Sequence, residues 1–269
     1  MQTGFMRIEL ATSPGSPERP NEDWVSVALP ASGQGGTVVA LDGVTPPSGE
    51  AGCVHGVPWF TARLGGSLVE LSGSRRDLTL REVLAEAIRR TADAHRDSCD
   101  LSHVRTPQAT VVLARWGGPE EEVEYLVLSD STLLLLSPDG SVSAVLDDRL
   151  DRLPREALRT HASADALRNA EGGFFTAAAD PEVARRAVAG SVPRERVSAV
   201  AALTDGASRW VDMFGAGDWA KCVALLREEG AQGLIDRVRE LEAEAEARAR
   251  TAVIRWKLHD DASAVFAEL

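Results

Sequence analysis

The sequence predicts an α+β sandwich. Three observations carry this: β-like runs crowd the first half of the chain, helical periodicity dominates much of the second half, and a β-like segment closes it. In a doubly wound parallel sheet, strands and helices would alternate throughout instead. A length of 269 residues suits one large domain, and residues 1–269 are read as a single unit.

The elements follow in chain order. Residues 24–29 and 37–41 are β-like and flank a Gly-rich turn at 32–36, so they read as paired strands. Between 80 and 91, Leu80, Val83, Leu84, Ala87, Ile88 and Thr91 recur at three and four residues, which places them on one helical face. Segments 110–115, 123–129, 132–137 and 141–146 are β-type, and Ser137-Pro138-Asp139-Gly140 joins the last two as a hairpin turn. Residues 155–167 and 181–189 read as helices separated by Gly172-Gly173, and 197–204 is a strongly apolar strand. Two further helices are expected at 219–228 and 234–250. The second carries Leu234, Val238, Leu241 and Ala245 beneath a Glu/Arg exterior that reads as a solvated face. Residues 262–269 alternate and form the closing strand.

Composition narrows the function classes. The chain is 44% hydrophobic and 26% charged, as in ordinary globular proteins, which excludes fibrous and disordered classes. With 41 acidic against 29 basic side chains the net charge is -12, which opposes an electrostatic grip on nucleic acid or on an anionic membrane. Lys221 and Lys257 are the only lysines, a skew toward arginine that points to GC-rich codons and a bacterial source. No basic, apolar leader opens the segment Met1 to Leu10, and no apolar run approaches the ~18 residues of a membrane span, so a cytoplasmic protein is expected. Cys53, Cys99 and Cys222 are odd in number, widely spaced and free of any C-x-x-C pair; neither a disulfide framework nor a zinc site is expected of them. His55, His95, His103 and His161 lack metal-ligand spacing and read as packing or surface residues. The six tryptophans are scattered and read as core.

One pattern recurs. Apolar β-runs meet an aspartate flanked by small residues in Val38-Val39-Ala40-Leu41-Asp42-Gly43, in Leu126-Val127-Leu128-Ser129-Asp130-Ser131 and in Ala201-Ala202-Leu203-Thr204-Asp205-Gly206. Asp260-Asp261 precedes the last strand, and Asp23 precedes the first. Each instance alone is ordinary turn chemistry, as at Asp139-Gly140. Carboxylates gathered at strand ends would repel one another without a cation between them, and hard divalent ions such as Mg²⁺ or Mn²⁺ take oxygen ligands. Glycine after Asp42 and after Asp205 allows a close backbone approach or a sharp turn.

In their order, Asn21-Glu22-Asp23, Val39-Ala40-Leu41-Asp42-Gly43, Leu128-Ser129-Asp130-Ser131, Leu203-Thr204-Asp205-Gly206 and His259-Asp260-Asp261-Ala262-Ser263 resemble the motifs of the metal-dependent serine/threonine protein phosphatases of type 2C, in particular their bacterial branch. The resemblance implies a four-layer α-β-β-α sandwich with two central antiparallel sheets. It also implies a hydrolase of bacterial signalling that removes phosphate from phosphoserine and phosphothreonine on protein substrates, through attack by a metal-bridging water. It assigns Asp42, the Gly43 carbonyl, Asp205 and Asp260 as ligands of two Mn²⁺ or Mg²⁺ ions, Asp130 to a third metal position, and Asp23 to holding metal-bound water from behind.

The chain departs from these motifs in places. Glu18 stands where the family has a phosphate-binding arginine, which leaves Arg19, or a neighbour such as Arg7, as the candidate. Val44-Thr45-Pro46-Pro47 replaces a Gly-rich continuation, Ser129 replaces a glycine and Thr132 an arginine. Two other readings stand beside this one, the first motivated by these departures. One is a catalytically degenerate module of the same fold that binds protein or senses metal, and the other is a phosphatase of small phosphorylated metabolites. His259 stands beside Asp260, where either a role at the site or a surface position is open, and Arg168-Asn169 with Gly172-Gly173 reads as a flap near the site.

Overall fold

The computed structural model describes residues 6–47, 51–118, 120–249 and 259–269. Among the described residues, ten strands form two five-stranded sheets in which every ladder is antiparallel. The first sheet runs β2 (Trp24–Ala28), β3 (Gly36–Leu41), β4 (Val111–Trp116), β5 (Glu122–Leu128), β8 (Val188–Pro193). The second runs β1 (Ile8–Ser13), β10 (Ala262–Glu268), β9 (Ala199–Leu203), β6 (Thr132–Leu136), β7 (Val142–Val145).

Alternation along the strands builds three apolar layers. Val38, Ala40, Val112, Ala114 and Val127 of the first sheet meet Leu133, Leu135, Val200, Ala202 and Val265 of the second, closing the space between the sheets. The opposite faces are covered by helices. Val39, Leu41, Val111, Leu113 and Leu126 pack under α1 (Val57–Ser74) and α2 (Leu80–Asp93). Leu134, Ala201, Leu203, Ala264 and Phe266 pack under α4 (Asp205–Asp212) and α5 (Trp219–Ala249). The order helix, sheet, sheet, helix is the expected α-β-β-α sandwich. The helix expected over 80–91 is α2, and its face Val83, Leu84, Ala87 and Ile88 is fully buried. The helices expected at 219–228 and 234–250 are the two halves of α5, which break at Gly230 (φ +77°); residue 250 lies outside the described residues.

Several expectations are corrected. The helix expected over 155–167 is a 3₁₀ turn, Arg155–Leu158, followed by a short α3 (His161–Leu167), because Thr160 turns extended and caps the new helix. The helix expected over 181–189 is a 3₁₀ turn, Pro181–Arg186, that gives way to β8. The sheet edge offered by β5 decides that conformation, and the strand's half-exposed pattern hid it. Other elements were not anticipated, among them the edge strand β1, the glycine-containing α1, and α4. The wide spacing of Cys53 and Cys99 in sequence does not keep them apart in the fold. The segment before α1 and the turn after α2 bring Cys53, His55, His95 and Cys99 together, with all four potential ligand atoms within 4.8 Å of one another. The 46-residue separation of the two cysteines concealed this.

Candidate metal centre

Antiparallel pairing explains why the aspartates meet. A strand that ends at one edge of a sandwich lies beside a neighbour that begins there. Leu41 pairs with Trp24, so Asp42, just past β3, lies at the same edge as Asp23, just before β2. In the other sheet Leu203 pairs with Ala264 and with Thr132, so Asp205 after β9 meets the start of β10, preceded by Asp260, and the start of β6, preceded by Asp130. Asp42, Asp130, Asp205 and Asp260 all line one cleft of about 620 Å³, together with Gly43, Val44–Pro47, Arg19 and Arg168.

Each carboxylate is held by its own local structure. The Asp42 amide donates to Thr110 Oγ1 (3.2 Å), and the Thr110 amide donates back to the Asp42 carbonyl (2.9 Å). Asp205 is the first residue of α4, where the preceding Thr204 is extended and the negative charge suits the helix N-terminus. Thr204 Oγ1 donates to Asp23 Oδ2 (2.8 Å) and accepts the Ser263 amide (2.9 Å), tying β9, β10 and the entry to β2 together. Ser129 adopts a left-handed φ of +69°, at a cost of roughly 1–2 kcal/mol for a non-glycine residue, and its amide donates to buried Asp147 (3.0 Å). This is the backbone condition that a glycine in that position would meet without strain.

At the cleft, Gly43 and Gly206 serve close approach, and neither has a positive φ. A Cβ on Gly206 would overlap the Asp261 carbonyl oxygen, and one on Gly43 would overlap Val57 and the Glu22 carbonyl. Asp261 itself is not among the cleft's lining residues and clamps the entry loop, accepting the amides of Gly15 (2.8 Å) and Glu22 (2.7 Å).

The electrostatics are those of an under-compensated acidic cluster. Burial, followed by the fields of Asp205, Asp23, Asp130 and Asp260, holds the Asp42 carboxyl well above the usual range. Burial raises Asp23 to about 7, against the lowering effect of its hydroxyl partners Ser263 and Thr204. Asp130 is also raised, chiefly by burial. Asp23 Oδ1 is buried and has no hydrogen-bond partner among the described residues. Oxygen-only donors, raised carboxyls and an orphaned buried oxygen fit hard divalent cations.

Asp260 stands apart from the others. Arg209 Nη2 donates to its Oδ2 (2.9 Å), while Nη1 of the same guanidinium reaches Glu242 on α5 (3.2 Å). Glu242 is fully buried and also pairs with Arg239 (2.7 Å) and His259 (2.9 Å). His259 therefore faces this network and is not among the cleft's lining residues. Nothing in the aspartate motifs pointed to Arg209 or Glu242; they lie 51 and 18 residues from Asp260, and only the fold brings Arg209 to Asp260 and Glu242 to Arg209. Arg19 is among the cleft's lining residues, whereas Arg7 is not and pairs with Glu9 and the Arg227 carbonyl. Leu150, Leu158, His161, Arg168 and Phe174 form a wall of the cleft; of the residues expected in a flap, Arg168 lines it, whereas Asn169, Gly172 and Gly173 do not.

No protein-family model and no curated protein matches the sequence. Solved structures do match the fold. The serine/threonine phosphatase Stp1 from Staphylococcus aureus aligns with a TM-score of 0.63 at 13% identity, covering 99% of this chain and 96% of that one. The Mycobacterium tuberculosis serine/threonine phosphatase PstP/Ppp aligns at 0.59 and 18% identity, with 98% of each chain covered. The S. agalactiae serine/threonine phosphatase aligns at 0.59 and 14%, covering 98% of this chain and 100% of that one. At these identities the likeness shows a shared fold.

Proposed function

We propose that residues 1–269 form a single bacterial phosphatase domain of type 2C that uses Mn²⁺ or Mg²⁺ to hydrolyse phosphoserine and phosphothreonine on signalling proteins. The carrying observation is the convergence of Asp42, Asp130, Asp205 and Asp260, from four separate strand ends, on one cleft. The full-length fold likeness to bacterial serine/threonine phosphatases supports the same reading.

In this proposal Asp42, the Gly43 carbonyl, Asp205 and Asp260 hold two divalent ions, and Asp130 contributes to a third. Such ions, when bound, activate water at neutral pH and neutralise charge on phosphoryl oxygens during in-line displacement. The chain's own residues do the rest. Asp23 Oδ1 supplies an acceptor that orients water, while its Oδ2 is pinned by Thr204. Arg209 and Glu242 fix the rotamer of Asp260 from behind. Arg19 and Arg168 bring positive charge to the cleft, where they attract and orient the phosphate. No side-chain nucleophile is required.

The test is turnover of a phosphoserine peptide with Mn²⁺. Activity is expected to stop on chelation and to fall to background in Asp42→Ala and Asp205→Ala; activity surviving both substitutions overturns the assignment. One observation favours a second reading, a degenerate module that binds without turnover. The Arg209 guanidinium already occupies one oxygen of Asp260 and competes with a cation there. Calorimetric binding of Mn²⁺ without turnover of phosphopeptide, sugar phosphate or nucleotide would select it. Turnover of the small phosphates alone would select a metabolite phosphatase.

A further inference from the structure

We propose that Cys53, His55, His95 and Cys99 form a structural zinc site of the Cys₂His₂ class, separate from the acidic cleft. None of the four lines that cleft, and the inference stands whether or not the protein is a phosphatase.

The geometry is that of a tetrahedron around one ion. With Zn–S of about 2.3 Å and Zn–N of about 2.0–2.1 Å, the sulfur-to-nitrogen edges of a tetrahedral site are about 3.5–3.6 Å. The observed edges are 3.4 Å from Cys53 Sγ to His95 Nδ1, 3.7 Å from Cys53 Sγ to His55 Nδ1, and 3.4 Å from Cys99 Sγ to His55 Nδ1. The two sulfurs are 3.0 Å apart, beyond the ~2.05 Å of a disulfide and within a small outward movement of the ~3.8 Å sulfur-to-sulfur edge around zinc. Four ligands close the coordination sphere, which is the mark of a structural rather than a catalytic site.

The ligands come as two short pairs. Cys53-Val54-His55 immediately precedes α1, and His95 with Cys99, four residues on, follows the last turn of α2. The Asp100 amide donates to the Gly52 carbonyl (2.6 Å) and already staples the two segments. Around the site His95 is buried, Trp59 stacks on His55 with ring centroids 4.1 Å apart, and its ring lies 5.0 Å from that of His95, so an apolar wall shields the ligands. Two thiol protons leave as Zn²⁺ enters, and the ion with two thiolates and two neutral imidazoles carries no net charge. Thiolate and imidazole donors select zinc, while the carboxylate cleft suits Mn²⁺ or Mg²⁺, so the chain sorts two metals by ligand chemistry. The site's place in the fold gives it a role. It clamps the segment that follows the cleft wall Val44–Pro47 onto the end of α2.

The experiment uses the full chain purified under reducing conditions from zinc-supplemented cells, followed by metal analysis and exchange with Co²⁺. About one zinc per chain is expected, and the cobalt form should show ligand-field bands with thiolate-to-cobalt charge transfer, a signature that carboxylate sites do not give. Cys99→Ser is expected to lose both zinc and the charge-transfer band, and Asp42→Asn to keep both. If Cys99→Ser fails to fold, the wild-type cobalt spectrum decides alone. Absence of zinc together with absence of the charge-transfer band overturns the proposal. So does a native chain two hydrogens lighter by mass through a Cys53–Cys99 disulfide, or retention of zinc by a folded Cys99→Ser.

Discussion

Gly206 shows how narrowly the cleft is built. It follows Asp205, and its missing side chain is where the Asp261 carbonyl lies, so β10's entry can pass directly over the start of α4. Gly206→Ala must push these segments apart. Urea unfolding is expected to show a loss of about 1–3 kcal/mol, the usual range for overpacking, and an unchanged midpoint would mean that the contact is slack. Its effect on turnover should exceed its effect on stability, because the displaced backbone bears Asp205 on one side and Asp260 on the other. Asp42, Asp205 and Asp260 were legible as aspartates after or before apolar runs. Arg209 was not, since an arginine inside a polar helical stretch carries no sign of a partner 51 residues away.

At the scale of elements, α2 and α1 mark the two extremes. Thr79 and Glu82 form a reciprocal capping box at the start of α2, and every third or fourth residue after it is apolar and buried, so local chemistry and packing agree. Leu84→Ala is expected to cost about 2–5 kcal/mol and Thr79→Ala about 1 kcal/mol, both read as shifts in the unfolding midpoint, with the ordering as the critical outcome. A larger loss from Thr79→Ala would mean that the cap, not the buried face, holds α2. In α1 the signals conflict. Gly65, Gly66 and Gly73 each weaken a helix by about 1 kcal/mol relative to alanine. Phe60, Leu64, Leu68 and Leu71, packed on β3 and α2, stabilise it anyway. β8 and β1 are edge strands whose half-exposed residues lack the buried alternation that betrays central strands.

For the whole molecule, the charge of -12 has a local component at the cleft. Folding raises Asp42, Asp23 and Asp130 above their ordinary 3.8, with Asp23 reaching about 7. In the intervening pH range the folded chain holds more protons than the unfolded one. Without divalent ions, the contribution of these three carboxyls to stability is therefore fully present below their ordinary value and is lost as pH rises toward and through the raised ones. A cation favours the ionised carboxylates and reverses that loss, because a ligand of the native state stabilises it. Thermal melts with zinc held constant should show a Mn²⁺-induced rise in midpoint that is larger at about pH 8 than at about pH 5. An equal rise at both values would detach the metal from these carboxyls.

The strand-end aspartates, the apolar runs behind them and the periodicity of α2 are local facts, readable because a strand or a helical face repeats every two or three to four residues. The four-layer order followed from the same runs together with the family resemblance. What the chain alone could not disclose is contact between distant segments. The Arg209–Glu242 brace behind Asp260, the edge strands, and above all the meeting of Cys53 and His55 with His95 and Cys99 depend on α1 and α2 packing side by side over one sheet. Each of the ligand pairs is unremarkable by itself; only the packing that buries Leu64, Leu68 and Leu84 brings the two within one coordination sphere.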